Sequence, residues 1–448
     1  MRLLIVGGGA GGMSAAAQAR RIDPNLEITV LEQTEHVSVG RCGLPYFIGD
    51  RVRDARSLVV RTPDYFRRER RIDVRTHHRV EAIYPGQRTV TGRDLLSGSP
   101  FELRYDRLVL GTGASPAPLG VEGATLPHVF TVRGLDEAIR LKAALEQRTA
   151  RSAAVIGGGY IGLELAEALH RWNLRVTVIE SAGRLLTPFD PWVSDLVANE
   201  LAAHGVRVLT SHTVLGVEPG AVQTRESGPV PADLVVVAVG SRPEVGLVRG
   251  AELGRSGALA VGRQMQTSLP AIWAAGDCAE SRSAVTGRAT HVPLGSVANL
   301  HGRVAGEAAA GRRIEAPPLA GTFLLQLFDL ALARAGLSEA EAPAHGFTPV
   351  AAEVTGPVRA PIFGGHEEIR VRLVADARTG RLLGGQMAGH AEAIRRIDTV
   401  AALLVGAATV QGAAGLDLGY TPPLGTARDP LVLAAQQIVS TLEQRRRW

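Results

Sequence analysis

The apolar positions of the chain fall into a pattern that occurs twice. Leu3 to Val6 is an uninterrupted apolar run, the mark of a strand buried on both faces, and it leads straight into GGGAGG; Ser14 to Arg21 beyond it reads as a helix. A second strand, ITVLE, ends in Glu32. The same order returns at AAVIGGGYIGLELAEAL, followed by RVTVIE ending in Glu180. Two further apolar strands end in glycine, RLVLGTGASP (Arg107 to Pro116) and LVVVAVGSRP (Leu234 to Pro243), and each reads as a crossover from one domain to the next. TSLPAIWAAGDCAE is another apolar strand, running into Gly276 and Asp277. From about Pro318 the texture changes to strand-like segments, TFLLQLF, EEIRVRLVAD and LLGGQMAG with a turn at ARTGR, and then to helical spacing at Ala393 to Val405 and Leu431 to Gln444.

The glycines give the repeated unit its chemistry. Gly7, Gly9 and Gly12 form G-x-G-x-x-G between strand and helix, and Gly157, Gly159 and Gly162 repeat it. One glycine serves the turn, one the close approach of a pyrophosphate, and one the packing of helix on strand. The acids that follow, Glu32 and Glu180, stand where a carboxylate binds a ribose 2′-hydroxyl. A carboxylate repels a 2′-phosphate, so Glu180 favours NADH over NADPH, a preference that Arg184 nearby softens. Asp277 is placed to hold a ribityl or phosphate group of a flavin. The fold class is therefore α/β, with two Rossmann-like dinucleotide-binding domains (1–111 with 241–317, and 112–240) and a separate C-terminal α+β domain (318–448).

Composition narrows the class. With 448 residues and 52 glycines the chain can build two or three cores. Its formal net charge of +5 rests almost wholly on arginine, Lys142 being the single lysine, and no basic run interleaved with aromatics suggests nucleic acid. The Arg445 to Arg447 run reads as a solvated helix end. Two cysteines in so long a chain exclude a disulfide framework and fit a reducing, cytoplasmic setting. Neither a signal peptide nor a membrane span is expected.

One of those cysteines lies in SVGRCGLPYFIGD, Ser38 to Asp50. Cys42 begins a short apolar segment after a glycine-containing loop, where backbone amides favour a thiolate, so it reads as a reactive sulfur; a small buried hydrophobe is the alternative. Cys278 reads as packing.

The tandem glycine motifs, GTGASP, AAGDCAE and VPLGSVANLHGRVAGEAAAG (Val292 to Gly311) together resemble the FAD-dependent pyridine nucleotide-disulfide oxidoreductases over nearly the whole chain. Most disulfide reductases of that kind carry two cysteines four residues apart, and Cys42 has no such partner. The sequence is similar to the single-cysteine branch, which holds coenzyme A-disulfide, persulfide and polysulfide reductases, NADH oxidases and NADH peroxidases. The oxidases and peroxidases place a histidine where this chain has Ala10. AGGMSAAAQARR, CGLPYFIGD and YTPP instead resemble coenzyme A-disulfide reductase.

That resemblance implies a coenzyme A pocket lined by Ser14, Gln18, Arg21 and Ser38. It also implies a homodimer in which Tyr420 reaches the partner's thiol, and an aromatic gate over the nicotinamide at Tyr160 with Glu164 as its charged neighbour. Two positions depart from it. Arg41 stands where asparagine is frequent, and can stabilise the thiolate, bind phosphate or face solvent. Pro361 to Gly364 (PIFG) stands where the family has a Tyr-Tyr-Pro-Gly segment. The reaction implied is reduction of coenzyme A disulfide or persulfide by NAD(P)H through FAD and a Cys42-S-S-CoA mixed disulfide. An NADH oxidase or polysulfide reductase on the same fold is one alternative, and a flavoprotein electron-transfer or sensing module with a packed Cys42 is another.

Overall fold

A computed structural model of the chain describes residues 1–363, 367–392 and 394–446. Each glycine motif tops a five-stranded parallel sheet. The first has the order Ile272–Ala274, Arg107–Leu110, Arg2–Val6, Glu27–Leu31, Asp73–Arg75. Its central strand is buried from Leu3 to Val6, which is why that run is apolar without alternation. The second has the order Arg207–Leu209, Arg175–Ile179, Ser152–Ile156, Leu234–Val237, Val129–Thr131, again parallel. Each sheet is accompanied by a three-stranded antiparallel sheet, His78–Tyr84, Thr89–Asp94 and Pro100–Arg104 in the first unit, Val214–Glu218, Gly220–Thr224 and Gly228–Ala232 in the second.

The two glycine-ended strands do lead across between these units. Beyond them Ala114–Pro116 and Ser241–Pro243 pair antiparallel, so the outgoing and returning chains run side by side. The first helix spans Ala10–Ile22, starting four residues earlier than the apolar spacing alone indicates.

The third unit is a five-stranded antiparallel sheet, Phe323–Leu327, Leu330–Gly336, Leu382–Gly389, Glu368–Asp376, Pro349–Pro357. The helices Ile397–Val405, Val410–Ala414 and Pro430–Arg446 contribute to the core on it. The helical spacing expected from Ala393 is a short 3-10 turn, Ile394–Arg396, before the helix begins; Ala393 itself, like Gly364 and Arg447, lies outside the described residues. Among the described residues no helix is long and apolar enough to cross a membrane.

Candidate active site at Cys42

Cys42 sits in a single 3-10 turn, Arg41–Gly43, that runs into the helix Leu44–Ile48. The entry to it is bent by Ser38, whose φ is 54°. Ser38 N donates to Gly8 O at 2.9 Å and Gly40 N to Leu58 O at 2.8 Å, so the first glycine loop and the sulfur segment are tied together. The exit is tied to the second domain. Trp172 Nε1 donates to Ile48 O at 2.7 Å, Arg171 Nε to Gly49 O at 2.8 Å, and Lys142 Nζ to Asp50 Oδ1 at 2.8 Å. The one lysine of the chain thus joins the cysteine segment to the helix Leu135–Glu146.

Cys42 is exposed, while Cys278 is 0% exposed and directs Sγ at the carbonyls of Leu110 and Ala275. Although solvent reaches it, the protein crowded around the Cys42 sulfur pushes the thiol up, and the Glu164 and Asp277 carboxylates push in the same direction. A backbone hydrogen bond at Cys42 acts the other way but does not reverse this. A different element meets the sulfur: the fifteen-residue helix Gly295–Ala309 begins beside it, and a Cβ built on Gly295 would lie 3.7 Å from Sγ. The amino end of a helix of that length carries partial positive charge, which favours an anion.

The two glycine loops are built alike. Gly7 and Gly157 have φ of 103° and 115°, conformations closed to most side chains. A Cβ on Gly12 or Gly162 would fall 1.9 or 2.0 Å from the carbonyl oxygen of Gly7 or Gly157, so these positions set the packing of helix on strand. Gly9 and Gly159 have open space where a Cβ would be, as a site of close approach requires. Glu32 accepts from Gly8 N at 2.7 Å and Thr34 N at 2.8 Å; Glu180 accepts from Gly158 N at 2.6 Å and Ala182 N at 2.7 Å. Both carboxylates brace their loops and stand at the loop rim. The expectation that Arg184 bears on the second rim is not met: its guanidinium donates to Phe189 O at 2.5 Å and Thr187 O at 2.9 Å.

Asp277 is paired with Arg133, whose Nη2 lies 2.5 Å from Oδ2, and its own carbonyl meets His291 Nε2 at 2.9 Å. Arg41 belongs electrostatically to this group. Arg133, Glu32, Asp277 and Glu137 act on it, whereas the charges acting on the thiol are Glu164 and Asp277. Tyr160, at the start of the second loop helix, packs against Phe323 of the third unit with ring centres 5.0 Å apart. Burial, and then Asp277, pushes its phenol up. One turn on, burial and then Glu167 push the Glu164 carboxyl up to about 7.

Ser14, Gln18 and Arg21 share one face of the first helix. Ser14 Oγ donates to Asn299 Oδ1 at 2.6 Å, Gln18 Nε2 to Glu307 Oε1 at 2.8 Å, and Arg21 Nη1 to Gln18 Oε1 at 3.1 Å. Tyr420 is 51% exposed in the third unit. Its loop is linked to the turn Pro361–Phe363 by a bond from Ala360 N to Pro422 O at 3.0 Å, and Ile362, Phe363 and Leu424 are exposed there as well.

The family model of pyridine nucleotide-disulphide oxidoreductases matches residues 1–297, and that of the dimerisation domain of the same family matches residues 324–431. The chain belongs to the pyridine nucleotide-disulphide oxidoreductases. It is an NAD(P)H-dependent flavin oxidoreductase of that family. Among curated relatives it is 36% identical, over 97% of both chains, to an NAD(P)H sulfur oxidoreductase (CoA-dependent) from Pyrococcus abyssi. It is 28% identical, over 96% of this chain and 97% of the other, to a coenzyme A disulfide reductase from Staphylococcus haemolyticus. The solved structure of an NAD-dependent persulfide reductase from A. fulgidus superposes with a TM-score of 0.95 at 36% identity, covering 99% of this chain and 84% of that one.

Several residues of this oxidoreductase site are not evident from motif reading. Gly295, Asn299 and Glu307 lie within the segment Val292 to Gly311 that carries the family likeness, but their roles depend on which helix faces them. Arg133 has no motif and meets Asp277 across 144 positions.

Proposed function

We propose that the chain reduces coenzyme A disulfide or persulfide with NAD(P)H, using Cys42 as its single redox sulfur. The observation that carries this reading is the contrast between the two cysteines: Cys42 is exposed and Cys278 is buried, so the second half of a disulfide comes from outside the protein. The names of the relatives, CoA-dependent sulfur oxidoreductase, coenzyme A disulfide reductase and persulfide reductase, support the same substrate class.

In this reading the Cys42 thiolate attacks one sulfur of coenzyme A disulfide, forming Cys42-S-S-CoA and releasing one coenzyme A thiolate. FAD, when bound, supplies the passage of two electrons from NAD(P)H to that mixed disulfide, which is thereby split into the Cys42 thiolate and a second coenzyme A thiolate. Gly7, Gly9, Gly12, Glu32 and Asp277 hold the flavin, and Gly157, Gly159, Gly162 and Glu180 the nicotinamide cofactor, with NADH favoured by Glu180. Tyr160 gates the nicotinamide site beside Glu164. Ser14, Gln18, Arg21 and Ser38 line the coenzyme A pocket, with Arg41 on its flavin side. Tyr420 acts on the thiol of a partner subunit in a homodimer, and the chain divides at 111, 240 and 317. The setting is cytoplasmic.

A Cys42→Ser variant is expected to keep flavin and NADH binding and to lose turnover of coenzyme A disulfide; retained turnover would refute the mechanism. Mass spectrometry of untreated protein, with and without dithiothreitol, separates this reading from an electron-transfer module with a packed cysteine, since only the former leaves a reducible coenzyme A-sized adduct on Cys42. Ala10, where the related oxidases and peroxidases resemble one another in having histidine, weighs against peroxide as acceptor; polysulfide fits the same pocket.

A further inference from the structure

The helices Ala10–Ile22 and Gly295–Ala309 meet at very short range. A Cβ on Gly302 would fall 2.2 Å from Gly11 O, and one on Gly306 2.2 Å from Ala15 O. This approach brings two polar rows together, Ser14, Gln18 and Arg21 on one helix and Asn299, Arg303 and Glu307 on the other, each row spaced to share a helix face.

At the end of the seam Glu307 is 1% exposed. Its Oε1 accepts from Gln18 Nε2 at 2.8 Å and from Arg303 Nη1 at 3.4 Å. Its Oε2 has no hydrogen-bond donor and is faced by Arg312 Nη1 at 3.1 Å. Gln18, through its own Oε1, holds Arg21. One buried carboxylate therefore orders, directly or at one remove, an amide and three guanidiniums, of which Arg303 and Arg312 remain about half open to solvent at 47% and 58%.

Burying a carboxylate is unfavourable unless it is fully paired, and a pin between two helices is made at lower cost by apolar side chains. Here two cations pair with one anion and a third, Arg21, is held beside them through Gln18, leaving a surplus of positive charge on the open side of the seam. Guanidiniums held at fixed angles suit phosphate oxygens. We infer that Glu307 is a positioning residue for the phosphate-bearing end of the substrate, fixing Gln18 and Arg303 directly and Arg21 through Gln18; this rests on the reading that Ser14, Gln18 and Arg21 line the coenzyme A pocket.

The test compares coenzyme A disulfide with pantethine, the disulfide that lacks the nucleotide and its phosphates, in the wild type and in Glu307→Gln. Glutamine keeps the shape and an acceptor for Gln18 but removes the charge that holds the arginines. The expected result is a rise in KM of about tenfold for coenzyme A disulfide with kcat little changed, as loss of a charged hydrogen-bonding partner implies. KM for pantethine and the rate of flavin reduction by NADH should stay unchanged. Equal rises for both disulfides, or none, would overturn the inference and leave the substrate reading intact. A wild-type enzyme that reduces neither disulfide would overturn both. Should Glu307→Gln fail to fold, Arg303→Gln at the half-exposed end of the pair carries the same test, and an unchanged KM for coenzyme A disulfide there would refute the role.

Discussion

Gly295 opens the helix Gly295–Ala309 directly against Cys42, with a built Cβ 3.7 Å from Sγ. That separation is an ordinary contact, so Gly295→Ala is expected to be tolerated. Valine adds two methyl groups next to Sγ. Gly295→Val is expected to slow alkylation of Cys42 by iodoacetamide by about tenfold, a barrier increase of about 1.4 kcal/mol. Alkylation at the wild-type rate in a folded Gly295→Val protein would show that the helix start does not border the path to the sulfur.

Glu164 and Cys42 are coupled through charge. The carboxylate raises the thiol, so its removal should lower the thiol. The pH profile of Cys42 alkylation in Glu164→Gln is expected to move to lower pH. Stability gives a second readout with a definite sign. The folded carboxyl is raised from 4.5 to about 7, so its ionisation opposes folding; the penalty is absent below pH 4.5, grows through the window from 4.5 to 7, and is complete above it. Glu164→Gln should therefore be more stable than wild type at pH 8, by roughly 3 kcal/mol, and no different from it at pH 4. An unshifted alkylation profile, or a gain independent of pH, contradicts the coupling.

What could be read from the chain alone follows from what local sequence encodes. Leu3 to Val6 with its glycine loop is legible because the apolar run, the positive φ of Gly7 and the packing of Gly12 on the Gly7 carbonyl all fall within ten consecutive positions, although the strands that bury the run come from 27–31 and 107–110. The partners of the site are not local. Arg133 reaches Asp277, Lys142 reaches Asp50, and Glu307 reaches Gln18 across 289 positions, and each pair exists only because separate domains or helices are packed together. The antiparallel sheets of the two nucleotide units escaped notice because strands such as Gly228–Ala232, with prolines at 229 and 231, carry turn-like composition. Ser38 is the intermediate case: a match of sequence placed it near the sulfur, but its positive φ and its bond to Gly8 belong to the fold.

The surface that carries Tyr420 also carries Ile362 at 82% exposure and Leu424 at 80%. Large apolar side chains grouped this way on a domain that matches a dimerisation model suit a contact between subunits. Leu424→Glu is expected to shift the protein from dimer to monomer in sedimentation velocity, and to lower coenzyme A disulfide turnover at low protein concentration with recovery as concentration rises. A variant that stays dimeric with full turnover would remove this face, and Tyr420 with it, from the interface.

Gly306 tests the close crossing on which the seam depends. Its Cβ would lie 2.2 Å from Ala15 O and 2.8 Å from Ala15 C, both backbone atoms that no side-chain rotation can clear. Even Gly306→Ala must separate the helices Ala10–Ile22 and Gly295–Ala309, and the first of these packs through Gly12 against the loop of Gly7. The displacement therefore reaches the first glycine loop as well as the Gln18–Glu307 pair. Overpacking of this kind costs about 1–3 kcal/mol, so Gly306→Ala is expected to lower the midpoint of urea unfolding and reduce the flavin content of the purified protein together. Alanine at the neighbouring Ala305, replaced by Gly, separates the two effects: it weakens the helix without widening the crossing, and should lower the midpoint while flavin content holds. Full flavin content in Gly306→Ala would show that the loop does not depend on the crossing.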